Sequence, residues 1–103
     1  MANYVKAASV DEIPEGHAIV VDVDGDSLAL ARVDGDIYCI DNICTHDGGP
    51  LGEGELDGTA LECPRHGARF DVCTGRALSF PAVVPVNVYD VKIEGQDVLV
   101  DLG

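Results

Sequence analysis

The chain has 103 residues, 47% of them hydrophobic, which suits a single domain (1–103) with a modest core and excludes a disordered tail. Its 6 basic residues against 19 acidic ones leave a net charge of −13, the wrong sign for a nucleic-acid or anionic-membrane binder. No apolar run approaches the roughly 20 residues of a membrane span, and Met1-Ala2-Asn3-Tyr4-Val5-Lys6 lacks a signal-peptide pattern, so a cytoplasmic location is expected.

In chain order, Ser9-Val10-Asp11-Glu12 fits a capping box, but Pro14 and Gly16 leave room for little more than one helical turn. Strand-like runs rich in Val, Ile and Tyr follow at 17–23, 28–33 and 37–41. Asp24-Gly25-Asp26 and Asp34-Gly35-Asp36 separate them, and Asp-Gly favours tight hairpins. Beyond a long middle segment, residues 86–93 place Tyr89, Val91 and Ile93 on one face of a strand, opposite Asp90 and Lys92. Glu94-Gly95-Gln96-Asp97 then turns the chain into a last strand at 98–102. The pattern predicts an all-β domain of small antiparallel sheets, a sandwich or barrel. Residues 42–85 break this rhythm. They hold 7 of the 12 glycines, 4 of the 5 prolines, three of the four cysteines and two of the three histidines. They read as a loop-rich subdomain carried on the β base.

Two short loops carry the chemistry: Cys44-Thr45-His46 and Cys63-Pro64-Arg65-His66, with 16 residues between His46 and Cys63. Each offers one thiolate and one imidazole, and cysteines in a reducing compartment serve more often as metal ligands or free thiols than as disulfides. Four such ligands satisfy tetrahedral zinc, and they equally satisfy a 2Fe–2S centre in which two histidines replace two cysteines on one iron. The interleaving of Cys and His within each loop suits the cluster better than the usual zinc ribbon.

The run Cys44-Thr45-His46 … Cys63-Pro64-Arg65-His66-Gly67, continued by Ala68-Arg69-Phe70-Asp71-Val72-Cys73-Thr74-Gly75, resembles the Rieske iron–sulfur family. More narrowly, it resembles the small Rieske ferredoxins of bacterial aromatic-ring dioxygenase systems. The likeness extends from Ile13-Pro14-Glu15-Gly16 to the closing hairpin. It implies three small antiparallel sheets with the cluster subdomain at one tip. It implies that Cys44 and Cys63 hold one iron and His46 and His66 the other. It also implies an electron carrier, not an enzyme, working between a flavin-containing NAD(P)H reductase and a terminal oxygenase, as a monomer. Rieske proteins of respiratory complexes carry an extra loop disulfide and a hydroxyl residue beside the cluster. Gly49, Arg65 and Ala68 stand at those places here. Both absences point to a potential toward the low end of the Rieske range.

The remaining candidates have structural readings. Cys39, within the strand at 37–41, is expected to be a buried free thiol, Cys73 a thiol flanking a turn, and His17 a surface residue. Gly48-Gly49-Pro50-Leu51-Gly52-Glu53-Gly54 is no phosphate loop, since no helix with Lys-Ser/Thr follows. Pro81 and Pro85 fit a stiff loop covering the cluster or ordinary loop stiffening. Arg65, set between two candidate ligands, is read as aiding docking or stabilising the reduced cluster electrostatically; the alternative is that Arg65, Arg69 and Arg76 pair with Glu62 and Asp71. Two other functions remain open at this point: a small subunit of another redox enzyme such as a nitrite reductase, and a structural zinc module. A Rieske oxygenase is excluded, because its mononuclear iron needs two further histidines and His17 is the only spare one.

Overall fold

The computed structural model describes residues 3–43, 51–64, 67–79 and 84–102. The chain opens with β1 (Tyr4–Ser9) and a short 3-10 turn at Val10–Glu12, where the Ser9 N–H donates to the Glu12 carboxylate at 2.9 Å. That contact is one half of the capping box read from the sequence. The central sheet pairs β2 (Ala18–Val23), β3 (Asp26–Val33), β4 (Asp36–Asp41) and β9 (Val88–Tyr89) in that order. A second sheet has the order β1, β11 (Asp97–Asp101), β10 (Val91–Glu94). A third joins β5 (Leu56–Asp57), β6 (Ala60–Glu62), β7 (Arg69–Asp71) and β8 (Ala77–Ser79). All pairings among the described residues are antiparallel.

Turn chemistry sets the register of the central sheet. Asp24 and Gly25 have φ of 51° and 87°, and Asp34 and Gly35 have 51° and 83°. Positive φ at both central residues is the type I′ signature, and it matches the right-handed twist of the flanking strands. Val23 therefore pairs with Asp26, and Val33 with Asp36.

With the register fixed, the pleat sends alternate residues of β3 to opposite faces. Leu28 and Leu30 pack with Ile13, Cys39, Val98 and Val100 against the β1–β11–β10 sheet. Ala29 and Ala31 face the other way, toward Leu51, Leu61, Cys63, Phe70 and Val86. The central sheet is thus covered on both faces, and the small alanines leave room for the larger residues of the third sheet.

The expected single strand at 86–93 is two strands. Val88–Tyr89 completes the central sheet and Val91–Glu94 joins β11. Asp90 lies at the crossing, where its carbonyl accepts the Asp101 N–H at 3.0 Å. Tyr89 and Val91 pack on the core as the alternation requires, but Ile93 is exposed. β1 carried no clear signal, because its alanine-rich sequence lacks the β-branched run that marks a strand.

Candidate metal centre

Of the four expected ligands, Cys63 falls among the described residues. Cys44, His46 and His66 lie outside them. Cys63 follows β6 directly. Its N–H donates to the Ala68 carbonyl at 2.6 Å, and its own carbonyl accepts the Gly67 N–H at 3.0 Å. These two bonds tie Cys63, at the end of β6, to the Gly67–Ala68 segment that leads into β7. The Cys63 thiol is free and buried, at 1% exposure, within the core cluster shared by Leu51, Ala68, Phe70 and Val72.

The first motif loop is held where it enters and where it leaves. Before it, Asn42 accepts the Gly52 N–H on its side-chain oxygen at 2.6 Å. After it, Leu51–Glu53 forms a 3-10 turn closed by Gly54 N–H to Leu51 O at 3.1 Å. Gly54 presses against β6 so closely that a Cβ there would sit 1.6 Å from the Glu62 carbonyl oxygen. The Glu62 N–H in turn donates to Glu55 O at 2.9 Å. The residue that ends the first motif loop, Leu51, therefore shares one core cluster with Cys63 from the second. Folding brings the stems of the two motifs together across 12 positions of chain, from Leu51 to Cys63. The stem of the proline-bearing loop joins them, with Val86 N–H donating to Gly75 O at 2.8 Å and Gly75 N–H to Asp71 O at 2.7 Å.

The other cysteines behave differently. Cys39 is buried on the far face of the central sheet, and that burial, helped by the Asp41 charge, pushes its thiol from 9.0 up to about 12. It stays protonated at neutral pH and is unsuited to a thiolate ligand. Cys73 lies in the turn after β7 and is exposed. Its N–H donates to the Asp71 carboxylate at 2.8 Å. Partial desolvation, with the nearby Asp71 charge, holds the Cys73 thiol above its ordinary range. His17 is exposed, as expected. Arg69 bridges to Asp57 at 2.8 Å and Glu62 at 3.8 Å, so the expected pairing holds for Glu62 and adds Asp57. Arg65 and Pro81 lie outside the described residues.

Sequence reading missed the groups that brace the stems. Asp41 accepts hydrogen bonds from the Tyr89 hydroxyl at 2.5 Å and from Asn87 Nδ2 at 2.9 Å, tying the end of β4 to β9. Burial and this bond raise the Tyr89 phenol. No local sequence signal marks these groups, since each acts through a contact between segments distant in the chain.

A family profile described as "Rieske [2Fe-2S] domain" matches residues 3–90. The chain belongs to the Rieske family. The ferredoxin component of the naphthalene 1,2-dioxygenase system of Pseudomonas aeruginosa is 50% identical over 100 residues, covering 97% of this chain and 96% of the relative. The ferredoxin of carbazole 1,9a-dioxygenase from Nocardioides aromaticivorans superposes with a TM-score of 0.90 at 37% identity, covering 95% of this chain and 96% of that one. A chain from the complex of reduced oxygenase and oxidised ferredoxin in carbazole 1,9a-dioxygenase gives a TM-score of 0.89 at 36% identity, covering 95% and 92%. Membership decides between the two metals that the ligand chemistry left open: the protein carries one Rieske-type 2Fe–2S cluster. It is a ferredoxin component, an electron carrier and not a catalyst. The described site fits that group, since the free, core-anchored Cys63 thiol packs in one core cluster with Leu51, at the stem of the other motif.

Proposed function

We propose that Cys44 and Cys63 bind one iron of the cluster and His46 and His66 the other, within a single domain (1–103) whose residues 42–85 form the cluster subdomain. The observation that carries this reading is the free Cys63 thiol, buried at the mouth of a hydrogen-bonded loop whose flank packs against the end of the first motif loop. When bound, the cluster supplies a reversible one-electron couple. The chain's part is to hold it. Cys63 is locked through its own backbone to Ala68 and Gly67, so a thiolate there is held with little freedom to reorient. Leu51, Ala68, Phe70 and Val72 pack with Cys63 in one core cluster and would give the group an apolar floor at this thiol. Low dielectric at that floor strengthens every charge interaction of the bound group.

The carrier takes electrons from a flavin-containing, NAD(P)H-oxidising reductase and delivers them to a terminal oxygenase that hydroxylates an aromatic ring. A freely diffusing cytoplasmic monomer suits that task. Exposed Ile43, Leu78 and Val84 lie in sequence beside the motif and proline-bearing loops and offer apolar contacts for docking. The acidic remainder of the chain suits basic patches on both partners.

The test is reconstitution with the reductase and oxygenase of a naphthalene-type system. Ring hydroxylation should depend on this protein and vanish with Cys63→Ser. If the holoprotein accepted electrons from the reductase but never passed them to any such oxygenase, the dioxygenase assignment would fall.

A further inference from the structure

We propose that Asn42 is a positioning residue of the cluster site: its side chain closes the chain between 42 and 52 into a ring and so sets where the ligands of the first loop stand. The inference rests on the ligand assignment above. Asn42 follows β4 and is held three ways. Its N–H donates to the Ser27 carbonyl at 3.1 Å, its Nδ2 donates to Ser27 Oγ at 3.0 Å, and its Oδ1 accepts the Gly52 N–H at 2.6 Å. An amide N–H only donates, so the carboxamide oxygen faces Gly52 and the NH2 group is left for Ser27. One planar group thus joins β3 to the segment after the first loop.

The approach of Gly52 is specific. A Cβ there would come within 2.7 Å of Val20 Cγ2 and 3.0 Å of both Ala29 Cβ and Asn42 Oδ1. Glycine alone lets the backbone come this near to the sheet and to Asn42. The neighbouring Asp41 is fixed as well, by Tyr89, by Asn87 Nδ2 and through its N–H to Asn87 O at 3.1 Å. Asn42 is therefore the last anchored residue before Cys44, and Gly52 belongs to the first anchored turn after the motif. Metal sites lose affinity and spectroscopic definition when ligands drift by about 0.5 Å, and what prevents drift is hydrogen bonding behind the ligands. A carboxylate at this position keeps the acceptor for Gly52, and Ser27 can rotate its hydroxyl to donate.

The experiment compares holoprotein with Asn42→Ala and Asn42→Asp. Loss of cluster absorbance under a chelator should run about tenfold faster in Asn42→Ala, the rate equivalent of one hydrogen bond, and close to wild type in Asn42→Asp. The g-values of the reduced Asn42→Ala protein should shift while its far-UV circular dichroism stays unchanged. Unchanged bleaching, unchanged g-values, or equal loss in both variants would each overturn the proposal. If Asn42→Ala does not accumulate folded, hydrogen exchange on the wild-type holoprotein decides: the Gly52 amide should be protected like those of β4, and exchange as fast as an exposed amide overturns the role. Failure of the ligand assignment is seen separately, as wild-type protein whose cluster lacks two imidazole ligands.

Discussion

At the scale of single residues, the cysteines divide by environment. Cys63 is free, core-anchored and placed in a motif loop, whereas Cys39 is enclosed on the opposite face of the central sheet. Cys39→Ala should therefore leave the visible spectrum intact, and so should Cys73→Ser. His46→Ala or His66→Ala should abolish it. The thiol of Cys39 also gives the fold an alkaline limit. Its folded-state pKa, about 12, lies above its ordinary value of 9.0, so the folded chain keeps a proton that the unfolded chain releases. That contribution is complete below pH 9 and is lost as pH rises toward 12. The raised Tyr89 phenol acts in the same direction. Urea midpoints measured from pH 7 to 11 should fall in the wild type and fall less steeply in Cys39→Ala. An identical decline in both would contradict this origin.

At the scale of elements, the strongest constraint is the meeting of the Leu51–Glu53 turn with β6. Gly54→Ala forces a methyl into the Glu62 carbonyl, so either the turn or the strand leading to Cys63 must move. A loss of about 2–4 kcal/mol is expected in chemical denaturation, together with incomplete cluster incorporation. Phe70→Ala, at the centre of the same core cluster, should cost about 3–5 kcal/mol.

What the sequence made legible follows from how local each signal is. The Asp-Gly hairpins depend on two residues apiece and are where they were expected. The split at Asp90 was hidden because alternation looks the same whether or not a strand changes sheets. The short strands β5–β8 escaped because runs of two or three residues carry no period. The Cys/His motifs identified the chemistry because ligand types at fixed spacing are nearly independent of fold. Asn42, Gly52 and Gly54 were silent because their importance lies in contacts between segments.

At the scale of the whole molecule, two layers of core on either side of one sheet hold the cluster region to the base. Position 68, where respiratory Rieske proteins carry a hydroxyl, is a fully buried Ala68 methyl here, and it offers no hydroxyl donor to cluster sulfur. The midpoint potential should accordingly fall in the lower half of a range of roughly −150 to +300 mV, and a value above about +100 mV would contradict the argument. With a net charge of −13, association with either partner should slow as salt rises, because the screening length falls from about 10 Å at 0.1 M to about 3 Å at 1 M. Stopped-flow reduction by the reductase across that range measures the effect, and a salt-independent rate would assign the acidity to solubility alone.

The central claim, that the cluster is held by two cysteines and two histidines drawn from the two motifs, is tested most directly by pulsed EPR on the reduced protein grown with 15N-histidine. Two distinct imidazole nitrogen couplings to one iron are expected, with acid-labile sulfide equal to iron. Fewer than two such couplings, or stoichiometric zinc with no sulfide, would contradict it.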